Sequence, residues 1–276
     1  MNNEDQIDYW NGPAGQKWVD QSDRLDAMLR PFAERLIAQA AIGAGERALD
    51  IGCGAGALTL MATQAAGAGA LGVDVSEPLL ALARRRAAEA NLPAQFEHAD
   101  ASAFLAAEPA DLVISRFGVM FFAEPAAAFA NIRRSVRPGG RMVFICWQAL
   151  QANDWAFAPL QAALPFLSEP PAPADPTAPG PFAFQDRDRV ATILAEAGWS
   201  DVTIDPVEGD LTLPGEDVET SAEFMMQLGP LSRLLAAQDI DPQPVHEALA
   251  TRLRAHQTPE GRIAMRSACW LVSAGN

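Results

Sequence analysis

The residues best suited to chemistry stand in one short run, Asp50-Ile51-Gly52-Cys53-Gly54-Ala55-Gly56, and at two later acidic positions, Asp74 and Asp100. A strand at Arg47–Ile51 runs into alternating glycines, and a helical apolar pattern follows directly. Glycines at such a turn let the backbone bend tightly and let a ligand lie against it without a Cβ in the way. Asp74 ends a second strand in Leu71-Gly72-Val73-Asp74-Val75-Ser76, where a carboxylate can accept both hydroxyls of a ribose. Asp100 ends a third in Glu97-His98-Ala99-Asp100-Ala101, where it can accept a hydrogen bond from adenine's exocyclic amine. Plainer roles also exist: Asp50 as a turn cap, Asp100 as a helix N-cap, Cys53 as a small residue filling the loop.

A parallel sheet would bring those positions together. From Glu46 onward short apolar strands alternate with amphipathic helices, the mark of βαβ units. The strands are expected at Arg47–Ile51, Ala70–Asp74, Ala94–His98, Asp111–Ser115 and Arg141–Trp147. The helices are expected at about Ala57–Ala66, Pro78–Ala90, a short one near Ala103, and Pro125–Val136. Residues 1–43 read as helical, with an aromatic start (Tyr9, Trp10, Trp18) and one apolar stripe from Leu25 to Ile37. After the core segment 44–147 the rhythm breaks. Residues 148–185 form a proline-rich insertion, unsuited to regular helix or central strand. The core continues over 186–206, with a helix at Asp188–Ala197 and a strand at Asp201–Ile204. Residues 207–265 read as a helical insertion whose apolar face carries Met225, Met226, Leu228, Leu231, Leu234 and Leu235. A final core strand, Ala268–Ser273, lies in 266–276.

The glycine loop alone leaves two ligands open. Gly52, Gly54 and Ala57 satisfy the dinucleotide pattern GxGxxG/A, and Asp74 suits the ribose of NAD or of adenosylmethionine. Asp50 discriminates between them. It precedes the first glycine, where a carboxylate can face the ammonium of a methionyl group; a dinucleotide's pyrophosphate there would be repelled.

In order along the chain, LDIGCGAG (49–56), GVDVS (72–76), HADA (98–101), DLVISRFGVMFF (111–122) and RPGGRMVF (137–144) resemble the class I S-adenosylmethionine-dependent methyltransferases. The likeness is to the type 11, ubiquinone/menaquinone-methyltransferase-like group, and covers about residues 44–147. It implies a Rossmann-like α/β fold: a seven-stranded, mostly parallel sheet with helices on both faces and the last strand, around Cys269, antiparallel. It implies S-adenosyl-L-methionine as cofactor and S-adenosyl-L-homocysteine as product. Asp50, Gly52 and Gly54, with Cys53 in the same loop, would line the methionyl moiety. Asp74 would hold the ribose, Val75 the adenine ring, Asp100 and Ala101 the adenine edge. Ser115 would present its backbone near the sulfonium, and Trp18 would fold over the cofactor.

The acceptor is less legible. It is expected between the core, the N-terminal helices and the two insertions, which would pack together as a helical lid. Trp147, Trp155, Phe157, Phe166, Met225 and Met226 favour a lipophilic or aromatic small molecule. The same apolar helix faces would also suit a homodimer interface. His98, His246 and His256 read as structural or solvated, so no general base is named. None is needed where the nucleophile is already an anion, since positioning then supplies much of the rate.

Lys and Arg total 20 against 35 Asp and Glu, a net charge of −15, which argues against a nucleic-acid substrate. Arg84-Arg85-Arg86 and Arg133-Arg134 read as solvated helix surface. Three widely spaced cysteines suggest neither a disulfide framework nor a CxxC metal site, and fit a reducing compartment. No signal peptide is visible and no apolar run reaches the ~18 residues of a membrane span, so a cytoplasmic protein is expected. Two other readings stay open: a nicotinamide-dependent oxidoreductase, and a non-catalytic adenosylmethionine or adenosylhomocysteine binder with a regulatory role.

Overall fold

A computed structural model of the chain describes residues 3–169, 175–227, 229–238 and 240–276. Pro170-Pro171-Ala172-Pro173, within the proline-rich stretch, and Leu228 of the expected apolar face lie outside the described residues. Three helices lead: α1 (Asn3–Asn11), α2 (Pro13–Asp20) and α3 (Ser22–Ala40). Pro13 opens α2, where its missing N–H costs nothing. The stripe Leu25, Met28, Leu29, Phe32 and Leu36 is buried along α3, which packs on the sheet.

The alternating core then follows: β1 (Ala48–Ile51), α4 (Ala57–Ala66), β2 (Leu71–Asp74), α5 (Glu77–Glu89), β3 (Gln95–His98), β4 (Ala110–Arg116), α6 (Pro125–Arg134) and β5 (Val136–Trp147). After α7 (Asp154–Ala163) come α8 (Arg187–Glu196), β6 (Ser200–Thr212), α9 (Val218–Gln227), α10 (Gly229–Ala237), α11 (Pro242–Leu253) and β7 (Ala264–Gly275). The strands form one seven-stranded sheet in the order β3-β2-β1-β4-β5-β7-β6. β1 to β5 pair parallel, and β7 runs antiparallel to both β5 and β6. Chain order reverses between β1 and β4, so a crevice opens beyond their C-terminal ends. Helices cover both faces: α3 and α4 contact each other and the central strands, while α6 and α8 pack together against β5 and β6. Every residue of β1 is buried, as a central strand requires.

Four expected boundaries move. The segment near Ala103 is a turn rather than a helix, with the Ser102 N–H donating to the Asp100 carboxylate at 2.8 Å. The Pro125 helix ends at Arg134, and β5 begins at Val136, pairing with Ala110 before a register shift absorbs the Pro-Gly-Gly segment. β6 extends to Thr212 instead of stopping at Ile204. Its acidic, Pro206-containing sequence hides the alternation, and as an edge strand it tolerates the proline. β7 starts correspondingly early, at Ala264, to match it. Residues 207–212 and 264–265 therefore belong to the sheet.

The two insertions meet. α11 packs on α7 and α9, and α10 on the same two helices, burying Trp155, Phe224, Met225, Leu231, Val245, Leu249 and Leu253. Among the described residues no helix is long and apolar enough to cross a membrane.

Candidate active site

The glycine turn hangs from β2. The Gly52 and Cys53 N–H groups both donate to the Val73 carbonyl, at 2.9 and 3.2 Å. Gly52 has φ 66°, and a Cβ there would lie 2.7 Å from the Gly118 Cα, so the loops after β1 and β4 touch backbone to backbone. Gly54 differs. Its φ is 53°, but a Cβ would meet nothing within 4 Å, because this position faces the open cleft. Its N–H donates to Asp74 Oδ2 at 2.8 Å, while Ser76 N–H donates to Asp74 Oδ1 at 2.8 Å. Burial raises the Asp74 pKa, and these backbone donors work against that rise. Each carboxylate oxygen keeps further lone pairs for a ligand.

Asp50 is 1% exposed and accepts the Thr59 hydroxyl at 2.6 Å. Burial pushes its pKa up to about 7, against the pull of that hydrogen bond and of the Arg116 cation. Arg116, at the end of β4, donates from Nη2 to Asp26 Oδ1 at 2.8 Å. The other Asp26 oxygen takes Arg86 Nη1 at 2.8 Å, and Arg86 also reaches Ser22, Asp23 and the Ala55 carbonyl. This corrects the expectation for the Arg84–Arg86 run. Arg84 and Arg85 pair with exposed Glu77 and Glu89, but Arg86 is nearly buried and ties α3 to the glycine loop.

One continuous cleft borders Trp18, Asp50, Gly52, Cys53, Gly54, Asp74, Val75, Asp100 and Ala101. Ser115 is not among its lining. The buried Ser115 hydroxyl donates to the Ile51 carbonyl at 2.7 Å and accepts the Gly118 N–H at 3.2 Å, clasping β4 to β1. The next three residues, Arg116, Phe117 and Gly118, reach the cleft instead. Cys53 turns its thiol toward Gly72, where an added Cβ would sit 2.8 Å from the sulfur, and burial raises its pKa. That thiol packs against the strand. Sequence reasoning missed Asp26, Thr59, Arg116 and Gly118. Arg116 carried a signal, a lone cation ending an apolar strand; Asp26 and Thr59 looked like ordinary helix residues.

The N-terminal helices close one side. Asn11 Nδ2 donates to the Val75 carbonyl at 2.8 Å, Ser76 Oγ to the Trp10 carbonyl at 2.8 Å, and Trp10 stands edge-on to Trp18 and Phe121. At the other end the cleft is bounded by rings: Phe117, Trp147, Trp155 and Phe224, with Met120 and Met225. Of the expected acceptor wall, Trp147, Trp155 and Met225 border the cleft, whereas Phe157, Phe166 and Met226 do not.

Residues 48–140 match the family described as a methyltransferase domain. An uncharacterized protein of Mycobacterium tuberculosis is 37% identical over 129 residues, 46% of this chain and 47% of that one. A ubiquinone biosynthesis O-methyltransferase of Methylococcus capsulatus is 32% identical over 137 residues, 48% of this chain and 57% of that protein. The chain spans about half the length of the curated relatives it matches. A solved Haemonchus contortus phosphoethanolamine N-methyltransferase 2, in complex with S-adenosyl-L-methionine, shares the fold. Its TM-score is 0.54 at 16% identity, over 88% of this chain and 52% of that one. Residues 48–140 thus resemble a methyltransferase domain, and the sheet order and glycine loop are those that a likeness to the class I, S-adenosylmethionine-dependent kind implies.

Proposed function

We propose that the protein transfers a methyl group from S-adenosyl-L-methionine to a small, apolar or aromatic acceptor. One observation carries the reading: a buried carboxylate, Asp50, stands where the glycine turn begins, within the field of Arg116. A zwitterion suits that pair. Asp50 would face the cofactor's ammonium, and the Arg116 guanidinium, of which one nitrogen serves Asp26, would face its carboxylate. Gly52 and Gly54 leave room for the methionyl chain, Asp74 would accept the ribose hydroxyls, and Val75 would flank adenine. Asp100 and Ala101 would hold the adenine edge, with Trp18 closing from the N-terminal side. Ser115 would present its backbone near the sulfonium, with Arg116–Gly118 continuing along the cleft.

The sulfonium supplies an activated methyl group. The chain's own residues contribute alignment and water exclusion, with no covalent intermediate. The apolar lining and the name of the Methylococcus relative support an acceptor of the lipophilic, ring-bearing kind. The two insertions act as a lid rather than as a dimer surface, a reading supported by their mutual burial. The test is a screen with methyl-labelled S-adenosylmethionine over phenols, thiols, amines and carbon acids, reading label transfer. Transfer to a ring-bearing acceptor is expected. Cofactor binding with no transfer to any class would point instead to a regulatory binder.

A further inference from the structure

We propose that the acceptor is a flat aromatic molecule whose nucleophile, an aryl thiol or an acidic phenol, enters the cleft already ionised. The inference rests on the methyl-transfer reading above. A preset wall of rings is its first support. Phe117 and Trp147 lie face to face at 4.1 Å and 5°, Phe32 stands edge-on to both, and Trp155 follows at 4.7 Å from Trp147. Phe117 is held at φ 64°, which a bulky residue adopts only when its surroundings over-determine it. Asn153, fully buried, fixes Trp155: its Oδ1 accepts the indole N–H at 3.2 Å and the Ala268 N–H at 2.9 Å. Its Nδ2 donates to the carbonyls of Gln148, Ala149 and Ala268. A rigid aromatic wall matches a planar ring by offset or edge contacts, at little entropic cost.

The second support is where the ionisable groups stand. Among the described residues bordering the cleft, those groups are Asp26, Asp50, Cys53, Asp74, Asp100 and Arg116, on α3 or around the C-terminal ends of β1 to β4 and none of them on α7 or α9. Asp26 is held by two guanidinium groups, Asp50 by Thr59, and Asp74 by two backbone N–H groups. The Cys53 thiol is turned to Gly72. The lining also includes Phe122, Pro181, Phe224 and Met225, none of which can take a proton. An acceptor that gives its proton to water before binding needs no such partner. Its thiolate sulfur, or phenolate oxygen, then bonds to the methyl carbon. The carbon–sulfonium bond breaks with its electron pair left on sulfur, giving a neutral thioether. An anion and a cation thus become two neutral products, a change that a dry apolar enclosure favours.

The test uses ring-substituted thiophenols and phenols with acidities on both sides of neutrality, beside one aliphatic alcohol and one aliphatic amine. With the donor saturating, kcat/KM should rise about tenfold per pH unit below each acceptor's own pKa and level off above it. The break should move with the acceptor, and the thiol and phenol arms tell which atom is used. Separately, an aryl methyl sulfide should quench the tryptophan fluorescence of the cofactor-free protein. Trp155→Ala should weaken that binding more than tenfold and leave adenosylhomocysteine affinity unchanged. The proposal is overturned by one fixed pH break for every acceptor, by equal rates with the aliphatic alcohol, or by no transfer to any ring thiol or phenol. A failure to bind adenosylmethionine at all would be distinct, and would remove the methyl-transfer reading itself.

Discussion

Replacing Asp50 with Asn should make the protein more stable while weakening its hold on the cofactor. Burial moves the Asp50 pKa from an ordinary 3.8 to about 7, so the folded state holds a proton that the unfolded chain releases. About 3 pKa units at about 1.36 kcal/mol each amount to roughly 4 kcal/mol. Because the folded pKa is raised, stability falls as pH climbs from about 4 to about 7, and the full cost persists above 7. The amide is isosteric, keeps an oxygen for the Thr59 hydroxyl, and carries no charge to desolvate. Urea unfolding at pH 4 and pH 8 reads the difference. Wild type and variant should be close at pH 4, and the variant ahead by up to about 4 kcal/mol at pH 8. Titration calorimetry at pH 8 should show adenosylhomocysteine affinity down by about 1.5–3 kcal/mol, the worth of a hydrogen bond to a charged group. Parallel pH profiles of unfolding for the two proteins would refute the reasoning.

Asp74→Asn should cost a similar 1.5–3 kcal/mol of cofactor affinity and also speed amide exchange at Gly54, whose N–H it holds. Gly54→Ala should cost only about 1–2 kcal/mol of stability, since the added Cβ meets nothing, yet it should block cofactor binding. Gly52→Ala adds a backbone overlap with Gly118 and should cost about 3 kcal/mol or more, measured by urea unfolding. Asp26→Asn should lower stability by about 2 kcal/mol, between the ~0–1 of an exposed pair and the ~3–5 of a fully buried one.

The sheet was legible because buried parallel strands announce themselves as short apolar runs between helices, as Ala48–Ile51 and Leu71–Asp74 do. β6 was legible only in part, since an exposed edge strand with Asp205, Pro206 and Glu208 has no reason to alternate. At the site, the placing of Asp50, Asp74 and Asp100 along one cleft was legible because all three stand at or just after the C-terminal ends of parallel strands. Arg86 and Asp26 could not. Their roles depend on α3 crossing the glycine loop, a tertiary contact some 60 residues apart in the chain. The inward turn of the Ser115 side chain to Ile51 was not legible either, since it depends on β4 lying beside β1.

The central claim is that this glycine loop, with Asp50 and Asp74, takes adenosylmethionine and not a dinucleotide. Calorimetric titration of the intact protein with S-adenosyl-L-methionine, S-adenosyl-L-homocysteine, NAD and NADP tests it most directly. Saturable one-to-one binding of the first two, and none of the nicotinamide nucleotides, is the expected result. NAD binding tighter than that of adenosylhomocysteine would contradict it.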